Sequence, residues 1–219
     1  MLSAPLTWLL AAQVVALTPP PGATPTPPRS PVVVMRTSLG RIVIRLDREK
    51  SPLTVANFIR YVRSGSYDGT IFHRVIPRFM IQGGGYDEQL NEQPTRPPVR
   101  NESANGLSNR RGTIAMARTQ DPHSATAQFY INLADNTQLD GRPGRPGYTV
   151  FGEVLEGMEI VDRIAATPTS ARGPMFADLP TAAIVIRTVR EAPGWKPAAK
   201  PALVPSTGPT SAATPAPAP

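Results

Sequence analysis

The 219-residue chain has no cysteine, only two histidines, only three lysines, and no apolar run long enough to cross a bilayer comfortably as a helix. Each absence removes a class of chemistry. Without cysteine there is no disulfide framework and no thiolate for a metal, and a chain lacking thiols also suits an oxidising compartment. With His73 and His123 the sole imidazoles, a zinc site would have to be assembled from scattered carboxylates, so no metal is expected. A serine triad would need one of those histidines beside an acid and an exposed serine, and no nucleophile elbow occurs. Gly83-Gly84-Gly85 lacks the following helix and lysine of a phosphate cradle, and no cofactor is expected. His123 and Asp121 fall in a polar loop and read as solvated, and Asn101-Glu102-Ser103 matches a glycosylation sequon too short to outweigh chance.

The strongest apolar run is Leu6 to Leu17, LTWLLAAQVVAL, suited to the core of a secretory signal. Val14-Val15-Ala16 offers a cleavage site after Ala16, so residues 1–16 are expected to be a signal peptide. Because no Lys or Arg precedes the run, an uncleaved membrane anchor is the alternative, and no cysteine follows it to carry a lipid. Proline divides the rest. Of 27 prolines, eight fall in Met1 to Pro31 and eight in Glu191 to Pro219. Residues 17–31 therefore read as a Pro-rich linker and 191–219 as a disordered Pro/Ala-rich tail. Residues 32–190 remain as one domain, long enough to bury a core without disulfides.

The formal net charge of +7 and a pI near 10.4 raise the question of nucleic acid. The arginines are spread, as at Arg36, Arg41, Arg45, Arg60, Arg63 and Arg110, and no helix carries a basic stripe interleaved with aromatics, so no nucleic-acid partner is expected. In an envelope compartment the charge would still favour acidic surfaces.

Phe72 to Gly84, FHRVIPRFMIQGG, sets one arginine among apolar residues in two strand-like runs. In an extended run Arg74 shares a face with Phe72 and Ile76, opposite His73 and Val75. Either Arg74 is solvated on an amphipathic hairpin, or it is a fixed guanidinium at the edge of an apolar cleft, with Gln82 as an amide beside it and glycines that let the backbone come close. Thr113 to Asn132, TIAMARTQDPHSATAQFYIN, again places a glutamine, Gln128, before aromatics. Gln138 to Val154 contains LDG and then GYTVFGEV.

Together these three segments resemble the cyclophilin family of peptidyl-prolyl cis-trans isomerases over Val32 to Val189. The likeness is nearest the bacterial periplasmic branch, because the loop after GGGY is short and runs on to RGTIAMART and HSAT. The resemblance implies an all-β dominated fold, a closed eight-stranded antiparallel barrel capped by two α-helices. The pattern supplies the pieces: alternation at Val32 to Thr37 and Arg41 to Leu46, then strand-like runs at Ile71 to Ile76, Met80 to Gly83, Thr113 to Ala117, Gln128 to Asn132, Tyr148 to Val154 and Ile184 to Val189. Ser51-Pro52 reads as an N-cap and first helical residue of a helix through Val55, Phe58, Ile59 and Val62, and Met158 to Ala165 as a second helix.

By the same resemblance Arg74, Gln82 and Phe79 are the catalytic residues. Arg74 would stabilise the twisted amide and Gln82 hold the substrate backbone. Met80, Ala117, Gln128, Tyr130, Leu139 and Tyr148 would bind substrate, whereas Phe129 and Phe151 read as ordinary core. Gln138, where many members have tryptophan, would lie on the inhibitor rim and weaken cyclosporin binding. Tyr148 stands where many have histidine. The implied partners are proline-containing polypeptides and unfolded exported proteins, met by a monomer that is periplasmic or secreted. The rival reading from another class is a non-catalytic peptide-binding module or holdase chaperone that has kept the cleft without the chemistry.

Overall fold

The computed structural model describes residues 30–196; the expected signal or anchor, nearly all of the linker and most of the tail lie outside them. The described residues begin with the strands β1 (Val32–Thr37) and β2 (Gly40–Leu46), followed by the helix α1 (Pro52–Arg63). Four strands follow: β3 (Thr70–Ile76), β4 (Met80–Asp87), β5 (Thr113–Met116) and β6 (Phe129–Asn132). After β7 (Val150–Glu156) and the helix α2 (Met158–Ala165) come the two-residue strands β8 (Thr169–Ser170) and β9 (Leu179–Pro180), and β10 (Val185–Glu191) ends the fold.

Eight strands close into an antiparallel barrel in the order β1-β10-β3-β4-β6-β5-β7-β2, as expected, while β8 and β9 form a separate ribbon. That ribbon was not anticipated, because two residues are too few to show a period. Alternation along the strands sorts side chains into two clusters. Ile81, Ile114, Met116, Phe129, Ile131 and Phe151 point inward with Val33, Ile44 and Leu46. Met80, Ala115, Tyr130 and Val150, their neighbours in sequence, point outward and form a second cluster with Ile76, Phe79, Leu139 and Tyr148. Each fully buried Phe or Ile of the interior contributes about 1.5–3 kcal/mol relative to exposure. Phe58 of α1 joins this interior, its ring 5.0 Å from Tyr67 and 5.2 Å from Phe151.

Two expectations need correction. Ser51 stands at the N-cap position of α1 but makes no side-chain cap; its hydroxyl is buried and donates to the Val150 carbonyl at 2.8 Å. The cap comes from Glu102, whose carboxylate accepts from Leu53 N at 3.0 Å, Thr54 N at 2.8 Å and Thr54 Oγ1 at 2.7 Å. Arg74 does not share a face with Phe72. Phe72 pairs with Gly83 and Arg74 with Gln82, so two steps on β3 oppose one on β4, and this bulge breaks the alternation. Phe72 and Val75 both enter the interior, and Arg74 is turned outward.

Candidate active site

The outward cluster lines a cleft on the barrel wall. Arg74, Phe79, Met80, Gln82, Ala117, Tyr130, Leu139 and Tyr148 surround a cavity of about 200 Å³, together with Arg118. Met80 and Tyr130 are nearly buried, at 3% and 4% exposure. Strand register brings them together: Met80, Gln82 and Tyr130 lie on the paired β4 and β6, with Gln82 directly opposite Tyr130, and Ala115 of β5 opposite Tyr130 on its other side. Leu139 and Tyr148 come from the connection between β6 and β7, held at the cleft because the Tyr148 N–H donates to the Leu139 carbonyl at 2.9 Å. This contact keeps Tyr148 out of β7, which begins only at Val150.

Gln128 is placed one step away. It lines an adjoining cavity with Gln82 and Arg74, and its Oε1 accepts from Gln82 Nε2 at 2.8 Å. The glycines make this approach possible: a Cβ at Gly85 would stand 2.6 Å from the Gln128 side chain, and one at Gly84, whose φ is +84°, 2.9 Å from Phe129. The Ala117 N–H is taken by the Gln128 carbonyl at 3.0 Å, so it cannot serve a bound peptide. Gln138 is exposed on the 3-10 turn Thr137–Leu139 and does not line the cavity, while Phe129 and Phe151 sit in the barrel interior.

The cavity thus offers an apolar floor for a small ring, one guanidinium and one amide at its edge, and no nucleophile among its lining residues. A family model described as cyclophilin type peptidyl-prolyl cis-trans isomerase/CLD matches residues 32–191. The chain belongs to the cyclophilin-type isomerases. A peptidyl-prolyl cis-trans isomerase of Acinetobacter baylyi is 50% identical over 159 residues, covering 73% of this chain and 84% of that one. Peptidyl-prolyl cis-trans isomerase A of Dickeya dadantii is 51% identical over 158 residues, 72% of this chain and 83% of its own. Among solved structures, a Cryptosporidium parvum cyclophilin type isomerase determined in the presence of the dipeptide Ala-Pro superposes with a TM-score of 0.61 at 26% identity, covering 74% of this chain and 98% of that one.

Three features of this cyclophilin cleft escape a reading of the motifs. Arg118 lies over the Tyr148 ring, 4.5 Å from its centroid, and donates to the carbonyls of Thr119 at 2.8 Å and Pro146 at 3.0 Å, joining the two loops that flank the cleft. Beneath the pocket runs a buried amide network. Tyr130 OH donates to Asn109 Oδ1 at 2.7 Å, Asn136 Nδ2 to the Phe79 carbonyl and to Asn132 Oδ1, each at 2.8 Å, and Asn132 Nδ2 to Thr113 Oγ1 at 2.9 Å. Asn109 is in turn fixed by Asp140 of the LDG motif, which accepts its backbone N–H at 2.7 Å and its side-chain amide at 2.8 Å. Burial alone would raise the Asp140 carboxyl, but these bonds and one from Ser108 hold it below the usual carboxylate range. Burial, helped by Tyr148 and Asp140, pushes the Tyr130 phenol well up, so it remains a neutral donor. The third feature is Asp178, whose Oδ2 lies 3.2 Å from Arg74 Nε. All three rest on partners far apart in sequence.

Proposed function

We propose that this peptidyl-prolyl isomerase works without covalent chemistry, Arg74 stabilising the twisted amide over the pocket of Phe79, Met80, Tyr130 and Leu139. Rotation about an Xaa-Pro bond is slow because amide resonance gives it a barrier near ~20 kcal/mol. At the twisted midpoint that resonance is lost, and the prolyl nitrogen regains a lone pair able to accept a hydrogen bond. A guanidinium stays charged and presents N–H groups in a fixed plane, so a donor held at that nitrogen lowers the barrier by about 3–4 kcal/mol in a partly dry cleft. The observation that carries the reading is that Arg74 and Gln82 border the same cavity as the apolar side chains of Phe79, Met80 and Leu139. Gln82, tied to Gln128, would hold the substrate backbone, with Ala117 and Tyr148 flanking it. The completeness of this set favours an enzyme over a passive peptide binder.

Arg74→Ala is expected to stay folded and lose at least about tenfold in kcat/KM in an Xaa-Pro peptide assay, roughly 1.4 kcal/mol of transition-state stabilisation. Arg74→Lys should recover little, since a point charge does not reproduce the planar fork. Full activity in Arg74→Ala would remove the mechanism.

The clients are proline-containing polypeptides, and we infer that they are exported proteins folding in the periplasm or outside the cell. Supporting this are the run Leu6 to Leu17, the Val14-Val15-Ala16 site and the proline-rich segment after it. Intact mass of the native protein tests the inference: a mature chain beginning near Leu17 supports it, and a species in the membrane fraction that keeps residues 1–16 favours the anchor.

A further inference from the structure

The structure assigns Asp178 as the positioning residue for Arg74, an inference that rests on Arg74 being the donor to the substrate. Arg74 follows a bulge on β3, a place where strand pairing alone does not fix the direction of a side chain. Its own side chain is 46% exposed, and a long exposed arginine samples many rotamers unless something holds it. Asp178 supplies the hold through two bonds to adjacent residues of one strand. Its backbone carbonyl accepts the Val75 N–H at 2.9 Å, and its carboxylate oxygen Oδ2 meets Arg74 Nε at 3.2 Å.

The segment that carries Asp178 is itself anchored. Phe176 packs edge-on against Tyr86 with centroids 5.0 Å apart, and Tyr86 packs on His73 at 4.8 Å. Phe176 also accepts the Arg172 N–H through its carbonyl at 2.9 Å, and Thr181 N reaches the Pro168 carbonyl at 2.9 Å. The carboxylate therefore stands at a set distance from β3 instead of following the arginine about.

Engagement through Nε is the informative detail. It fixes the plane of the guanidinium from its inner edge and leaves both terminal nitrogens for the cleft, where Arg74 borders the proline-sized cavity. An exposed pair of this kind adds little to stability, so its value lies in holding one rotamer ready before the amide twists. A carboxylate there also withdraws some of the positive charge that the twisted nitrogen would feel. A neutral acceptor of the same length should therefore serve at least as well.

Five proteins in one isomerisation assay test this: wild type, Asp178→Ala, Asp178→Asn, Arg74→Ala, and Asp178→Ala placed in the Arg74→Ala background. Asp178→Ala is expected to lower kcat about three- to tenfold with KM changed less than about twofold, and Asp178→Asn to keep wild-type kcat within about twofold. In the Arg74→Ala background Asp178→Ala should have no further effect, because there is no guanidinium left to aim. Wild-type kcat in Asp178→Ala would overturn the assignment, as would an equal loss in both backgrounds, which would mean a structural role independent of Arg74. If Arg74→Ala alone left turnover unchanged, the failure would belong to the mechanism and not to Asp178.

Discussion

Gln138 sits beside the pocket without entering it. It is exposed on the short turn whose last residue, Leu139, does line the cavity, so a side chain at position 138 can cover a large ligand while leaving a proline ring untouched. An indole there would bury apolar ligand surface and donate one hydrogen bond, together roughly 2–3 kcal/mol. Gln138→Trp is therefore expected to tighten cyclosporin inhibition by about 30- to 150-fold while changing turnover of a short peptide by less than about threefold. Inhibitor titration of both proteins in the same assay checks this, and equal inhibition constants would show that the position does not govern the ligand.

Helix α1 shows how one distant side chain completes an element. No acidic residue lies in its first turn, Pro52 occupies the first position, and the serine before it is turned away to a strand carbonyl. Among the described residues the exposed amides and the positive end of the helix dipole are met by Glu102, from a loop 48 residues on. Glu102→Ala should cost about 1–2 kcal/mol of stability and lower the melting temperature by about 2–8 °C, with turnover preserved. Calorimetry decides it, and an unchanged transition would mean that water replaces the cap at no cost. The same element marks the limit of what sequence showed. Period and turn residues revealed α1, α2 and all eight barrel strands, whereas Met80, Gln82 and Tyr130 were set apart from core Phe129 by the family resemblance and not by the alternation. What stayed hidden was fixed by partners remote in sequence: the Glu102 cap, the bulge at Arg74, the amide network under Tyr130 and the Asp178 contact. The bulge on β3 in particular left no local signature, because its extra residue shows only against the register of β4.

Among the described residues six arginines form surface ion pairs, which leaves the net charge of +7 in place. Arg41, Arg63, Arg111 and Arg190 pair with Glu156, Glu191, Asp162 and Asp68, and such exposed pairs add little net stability and weaken with salt. The stronger electrostatic influence on folding is a buried group. His73 is only 5% exposed, and its Nδ1 has no hydrogen-bond partner among the described residues. Burial lowers its pKa from 6.5 to about 4; the nearby Ile71 carbonyl and Gln128 oppose the shift, and Arg74 adds to it. The folded protein therefore keeps a neutral imidazole between pH 6.5 and about 4, while the unfolded chain takes up a proton across that range. Stability is unaffected by this group above pH 6.5 and falls as pH drops toward 4, by about 3 kcal/mol in all. Asp68, held low by the Arg190 hydrogen bond, and Asp87, held low by bonds from Asn91, add their losses only at lower pH, below the window that His73 governs. Urea unfolding at steps from pH 7 to pH 4 should show this decline, and His73→Gln should flatten it even if the variant is less stable at pH 7. The slope is the deciding quantity, since a cavity or a lost ring contact would lower stability equally at every pH. A variant whose stability fell with pH as steeply as wild type would show that the uncompensated proton binds elsewhere.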